Sequence, residues 1–172
     1  MSKKMLTCIG IVLVLIVLCS VVNAATVTKT TYKVKVKNNE KFIDVSNLGD
    51  LDGDGKIGAA DLRLASRFMA ELETPRKKQL KNGDINQNGK IDSADARLIL
   101  RKFSGLVKAD ADLNGDNEVT AADARLILRM VSNKKGTKVK LTNLEAFVAD
   151  ANGDGKITSE DARIVLRHSA GL

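Results

Sequence analysis

Asp50-Leu-Asp-Gly-Asp-Gly-Lys-Ile-Gly-Ala-Ala-Asp61 carries carboxylates at the first, third, fifth and twelfth places of a twelve-residue window, with Gly55 sixth and Ile57 eighth. Carboxylates this close repel one another unless a hard cation lies between them. Gly55 has a separate task, because a chain that wraps an ion turns sharply with φ above zero. Three further windows repeat the design: Asp84-Ile-Asn-Gln-Asn-Gly-Lys-Ile-Asp-Ser-Ala-Asp95, Asp112-Leu-Asn-Gly-Asp-Asn-Glu-Val-Thr-Ala-Ala-Asp123 and Asp150-Ala-Asn-Gly-Asp-Gly-Lys-Ile-Thr-Ser-Glu-Asp161. Every copy keeps oxygen-bearing side chains at its first, third, fifth and twelfth places and Ile or Val at its eighth. The third copy has Asn117 at the turn position, a residue that enters the left-handed region at some cost. The second replaces two carboxylates by Asn86 and Asn88 and so carries less charge.

The windows resemble the calcium loop of the EF-hand, with Asp where that pattern ends in Glu. The resemblance implies a ligand set for each loop. In the first, Asp50, Asp52 and Asp54 give side-chain oxygens, Lys56 its backbone carbonyl and Asp61 a bidentate carboxylate. The corresponding residues are Asp84, Asn86, Asn88, Lys90 and Asp95, then Asp112, Asn114, Asp116, Glu118 and Asp123, then Asp150, Asn152, Asp154, Lys156 and Asp161. The ninth residues, Gly58, Asp92, Thr120 and Thr158, act through a water in that pattern. Up to four calcium ions are expected. An all-oxygen set without Cys or His argues against zinc and leaves magnesium open.

A helical pattern follows each loop. The first runs from about Ala59 to Leu72, with Leu62, Ala65, Phe68, Met69 and Leu72 on one face. Ser93 to Phe103 is expected to bury Leu98, Ile99 and Phe103 or a neighbouring set, and Thr120 to Val131 to bury Ile127, Leu128 and Val131. Ser159 to His168 carries Ile164, Val165 and Leu166. Ser or Thr near three of the starts can cap the helix, and Arg67, Arg101, Arg129 and Arg167 suit the negative end of the dipole. No long amphipathic helix fits immediately before the loops.

Loop-then-helix units that end in Asp and run on into Ala-Arg-Leu-Ile-Leu-Arg, at residues 96–101 and 124–129, resemble dockerin repeats, as do Gly49-Asp50 and Gly83-Asp84. The resemblance covers about residues 42–172. It implies a mostly α fold of tandem dockerin-like modules, each a pair of such units joined by a connecting helix, preceded here by a short β-strand segment. Room for the connecting helices exists at Pro75–Lys81 and Leu141–Val148. The expected division is residues 42–106 with loops 50–61 and 84–95, and residues 107–172 with loops 112–123 and 150–161. Pairing the second loop with the third is the rival, mildly favoured by Lys138-Val-Lys-Leu ahead of loop four, which echoes Lys33-Val-Lys-Val ahead of loop one.

For function the resemblance implies calcium-dependent docking onto cohesin modules of a scaffolding protein, in a cellulosome-like assembly for polysaccharide breakdown. The tenth and eleventh loop residues select the partner in that family; here they are Ala59 and Ala60, Ser93 and Ala94, Ala121 and Ala122, and Ser159 and Glu160. Many members carry Ser-Thr there, and this chain does not, which leaves its cohesin class open.

Residues 1–24 read as a secretory signal peptide: Lys3 and Lys4, an apolar run from Ile9 to Val22, and Val22-Asn23-Ala24 as the cleavage site. The apolar run is short for a membrane span. Both cysteines, Cys8 and Cys19, lie in this leader, so the exported chain has no disulfide to staple it and bound metal is expected to supply that stability. The location expected is secreted, with cell-surface association open. Residues 25–41 are expected as a strand or linker, since Tyr32, Val34 and Val36 alternate with Lys33, Lys35 and Lys37. Whether this strand packs on the repeats, pairs with a partner or acts as a spacer stays open.

The formal charge of +7 comes from scattered lysines without a nucleic-acid motif, and is read as a solvated surface rather than a nucleic-acid site. His168 is the single histidine, and every close acidic pair belongs to a loop, so no glycosidase-type carboxylates are left over. The chain is expected not to be an enzyme. The alternative to docking is a calcium-stabilised structural or surface protein whose repeats bind no cohesin.

Overall fold

The computed structural model describes residues 27–172; the expected leader lies outside them. The described chain opens with a β-hairpin, β1 (Thr30–Lys37) and β2 (Glu40–Asp44). It turns at Asn38-Asn39, both with positive φ of 51° and 64°, as a tight two-residue hairpin turn requires. Sequence reading expected one strand here; two asparagines between apolar alternations were the missed signal. Two more strands complete an antiparallel sheet of order β3-β1-β2-β4: β3 (Lys138–Leu141) and β4 (Lys156–Ile157), the latter inside loop four. The first half of β1 pairs with β3, from Thr30 opposite Leu141 to Lys33 opposite Lys138, and its second half with β2. Ile43 and Asp44 then pair with Ile157 and Lys156. The segment is therefore neither spacer nor lone strand: Val34, Ile43, Leu141 and Ile157 meet in the core, while Lys33, Lys35 and Lys37 face water. The two segments Lys33-Val-Lys-Val and Lys138-Val-Lys-Leu both belong to strands, and those strands pair with one another.

Six α-helices lie among the described residues: α1 (Ala59–Met69), α2 (Lys77–Gly83), α3 (Ser93–Phe103), α4 (Ala121–Ser132), α5 (Asn143–Ala149) and α6 (Ser159–Ser169), with a 3-10 turn at Val107–Asp110. The long helices α1, α3, α4 and α6 each follow a loop; the short α2 and α5 are the connecting helices and run directly into loops two and four. Ser93 and Ser159 are not caps but the first helical residues. The caps are the ninth loop residues, where the Asp92, Thr120 and Thr158 side chains accept from the N–H of Ala94, Ala122 and Glu160. α5 is capped by Thr142, which accepts from Glu145 N while its own N–H donates to the Glu145 carboxylate at 2.7 Å, a Thr-x-x-Glu signature present in the sequence.

The helices pack α1 on α3 and α4 on α6, the arrangement of loops one with two and three with four. Each buries a narrow stripe: Ala65 and Phe68 in α1, Ile99 in α3, Ala124, Ile127 and Val131 in α4, Ala162 and Val165 in α6. Met69, Leu72, Phe103, Leu128 and Leu166, expected on buried faces, are exposed instead. One reason is width, since a helix packed on a single partner hides only part of an apolar arc. Another applies to Leu72: α1 stops at Met69 and Glu71 turns left-handed, with φ 55°.

One core runs through all of this. Phe147 of α5 is fully buried and its ring lies against Gly49, just before loop one. Gly83 stands between Leu51 and Ile91, tying loop one to loop two. Asn82 donates to Asp50 O at 2.9 Å, and Asn143 of α5 donates to Asp84 O at 3.2 Å, so loop two is held from the second half of the chain. At Gly155 a Cβ would come within 2.8 Å of Ser46, and Val45 N donates to Gly155 O, which locks the hairpin onto loop four.

Candidate metal centres

The four loops share one ladder of hydrogen bonds. The N–H of the sixth residue donates to the first carboxylate: Gly55 to Asp50 at 3.1 Å, Gly89 to Asp84 at 2.8 Å, Asn117 to Asp112 at 2.8 Å and Gly155 to Asp150 at 3.0 Å. The fifth N–H donates to the third side chain, and the seventh N–H to the fifth. Asn serves as well as Asp in these places because each bond needs only a side-chain oxygen. The turn position is left-handed in every loop, with φ 85° at Gly55, 67° at Asn117 and similar values at Gly89 and Gly155.

Each loop is closed by its twelfth residue. Asp61 Oδ1 accepts from Leu51 and Asp52 N–H, at 2.7 and 3.1 Å, and its Oδ2 from Gly58 N–H at 2.7 Å. Asp95 and Asp123 repeat this pattern, and Asp161 accepts from Asn152 and Thr158 N–H. All four are buried. The same carboxylate thus starts the helix and ties the loop ends. The third, fifth and seventh residues are exposed in every loop except for half-buried Asn86, and in loop one Asp50, Asp52 and Asp54 bring one carboxylate oxygen each within 4.8 Å of one another. Oxygen donors arranged at this spacing fit a hard divalent cation.

Burial separates the loops electrostatically. It pushes Asp161 up to about 6 against the pull of its N–H donors, and raises Asp95 as well. At Asp123 burial acts the same way, but bonds from Thr120, Leu113 and Asn114 outweigh it and the carboxyl is lowered. Because Asp161 holds its proton more tightly in the metal-free fold than in the unfolded chain, its contribution to stability is fully present below pH about 3.8 and is lost as pH rises through about 6. In chelator, the helical signal that remains around loop four should therefore be larger at pH 5 than at pH 7, as read by far-ultraviolet dichroism.

A family model for the dockerin type I domain matches residues 48–104 and 110–168. The chain belongs to the dockerin type I family. The two matches enclose loops one and two and loops three and four, as two tandem dockerin domains. No curated protein is similar enough to count as a relative. Dockerin domains bind calcium, and they form a non-catalytic family of interaction modules that dock onto cohesins. No helix among the described residues is long and apolar enough to cross a membrane.

The residues expected to choose a dockerin's partner stand at the helix starts. Ala59, Ser93, Ala121, Ala122 and Ser159 are exposed; Ala60, Ala94 and Glu160 are half-buried. Ser159 shares a depression with Leu128 and the hairpin tip at Asn38 and Asn39. Glu160 is held by Arg163 of the next turn, an exposed pair that contributes little to stability. His168 is half-buried in the last turn of α6.

Sequence reading missed Lys102. It is a buried lysine in α3 whose Nζ lies 2.9 Å from Asp150 Oδ2 in loop four. Burial pulls its ammonium below the usual lysine value, opposed by the charges of Asp150, Asp161 and Asp154. A lysine where the other helices of this chain carry Phe68, Met130 and His168 was the available signal.

Proposed function

We propose that this protein is an exported tandem dockerin that loads calcium in its loops and docks onto cohesin modules of a scaffolding protein, within a cellulosome-like assembly for polysaccharide breakdown. The domain division proposed is residues 42–106 and 107–172, with the N-terminal hairpin packed mainly on the second domain. The observation that carries the reading is the exposure of all four helix starts in a chain from a docking family. Exposed Leu100, Phe103, Leu128 and Leu166 lie further along the same helices and add apolar area, the kind of anchor an interface needs.

In this reading Asp50, Asp52, Asp54 and Asp61 hold the first ion together with the Lys56 carbonyl. The equivalent residues do so in the other loops: Asp84, Asn86, Asn88, Lys90 and Asp95; Asp112, Asn114, Asp116, Glu118 and Asp123; Asp150, Asn152, Asp154, Lys156 and Asp161. Calcium supplies the positive charge that lets the clustered carboxylates stay ionised and close. The loop ladder orients the side chains, and the twelfth Asp couples ion binding to the helix start. Ala59, Ala60, Ser93, Ala94, Ala121, Ala122, Ser159 and Glu160 then meet the partner, Ala making a dry contact and Glu160 adding a charge that shifts specificity.

A pull-down against a panel of cohesins, with calcium and with chelator, tests this. Capture by at least one cohesin only in calcium is expected; failure with every cohesin, in a calcium-loaded and folded chain, overturns the docking reading. A second reading is favoured by the continuous core through both domains: a calcium-stabilised structural protein that recruits no cohesin, the outcome such a failure would leave.

The ligand assignment has its own test. Asp61→Ala removes a ligand, a helix cap and two loop bonds together, whereas Ser93→Ala changes only an exposed first helical residue. Calorimetry should give at least about tenfold weaker calcium binding at loop one for the former, about 1.4 kcal/mol, and no measurable change for the latter. Small equal effects would contradict the assignment.

A further inference from the structure

Lys102 brings a side-chain ammonium from the first domain into loop four of the second. Its Nζ donates to Phe147 O at 2.8 Å, lies 2.9 Å from Asp150 Oδ2 and stands 4.1 Å from the centre of the Phe147 ring. A carbonyl, a carboxylate and a π face surround it, and three acceptors match the three N–H bonds of an ammonium.

Asp150 is the first residue of loop four, and its oxygens are committed. Oδ1 accepts from Gly153 and Asp154 N–H, at 3.0 and 3.1 Å, and Oδ2 accepts from Gly155 N–H at 3.0 Å as well as meeting Lys102. An ionised carboxylate offers about four lone-pair sites, so Asp150 has none to spare. The first residues of the other loops differ. Asp50 accepts from Gly53 and Gly55, Asp84 from Asn88 and Gly89, and Asp112 from Gly115 and Asn117; none of them meets a lysine or arginine within ion-pair distance among the described residues. Those three keep lone pairs free for an ion.

We propose that Lys102 is the resident cation of loop four: it holds that loop in shape without calcium and makes it the weakest of the four calcium sites. The inference rests on the calcium reading of the loops. A divalent ion entering loop four must either share Asp150 with a like charge or expel an ammonium from a buried pocket, and both oppose binding. The same contact makes the second domain depend on the first, because Lys102 belongs to the helix that follows loop two.

Calcium titration of the decalcified full chain by calorimetry, for the wild type, Asn152→Ala and Lys102→Met, tests this. The wild type should show three tight sites and one at least about tenfold weaker. Asn152→Ala takes the third oxygen donor from loop four at an exposed, uncharged residue that does not meet Lys102, and should remove only the weak one. Lys102→Met keeps the length of the side chain and loses the charge; it should bring the weak site level with the others, while its second domain, followed by circular dichroism, should fold only in calcium. Four equal sites in the wild type, loss of a tight site in Asn152→Ala, or a folded Lys102→Met with its weak site unchanged would each overturn the proposal. If Lys102→Met does not fold even in calcium, the Asn152→Ala result decides. A chain that takes up no calcium in any loop overturns the calcium reading itself.

Discussion

Phe147→Ala should lower the unfolding free energy by about 3–5 kcal/mol, the range for deleting a buried aromatic ring. Domains of this kind are stable by only about 5–15 kcal/mol, so the loss is a large fraction of the total. The ring is fully buried on α5, touches Gly49 ahead of loop one and supports the Lys102 ammonium. Its removal therefore opens a cavity where the two domains meet, and the helices of both should melt at lower urea in one transition. Leu172→Ala, at a side chain that is 78% exposed, is the control and should change stability by less than about 0.5 kcal/mol. A loss from Phe147→Ala confined to a transition of the second domain would mean that the core does not act as one unit.

Excess chelator is expected to remove most of the helical signal at neutral pH. With free calcium about a thousand times above the dissociation constant, one site adds roughly 4 kcal/mol, comparable to the stability of a small domain. Without the ions, the first, third and fifth residues of loops one to three keep only their ladder of hydrogen bonds, and the carboxylates of loop one repel. The residual structure should lie around loop four, where Lys102 already supplies a charge. Far-ultraviolet dichroism before and after chelation measures this. Helical signal that survives intact contradicts the dependence on metal.

The loops and the helices behind them were legible because their signals are local. A ladder in which the sixth N–H meets the first carboxylate, and a twelfth Asp that caps its own helix, is written within twelve residues, and the family match follows from the same pattern. The helix starts were read to within a residue or two, at Ala59, Ser93, Ala121 and Ser159. Of the Ser or Thr caps expected near three of the starts, Thr120 and Thr158 serve in that role, while at the helix beginning with Ser93 the cap is Asp92. The buried faces were drawn too wide, since periodicity reports which residues are apolar and not how much of the arc a partner covers.

What the sequence determined alone is therefore the set of four loop–helix units, their order and their oxygen-donor chemistry, all fixed by interactions between near neighbours in the chain. Only the tertiary structure decided that β1 bridges β2 and β3, that the hairpin seals loop four, and that Lys102 reaches Asp150. Those contacts join residues far apart in the chain, and a strand edge or a buried ammonium takes its partner from whatever the packing of the whole molecule brings beside it.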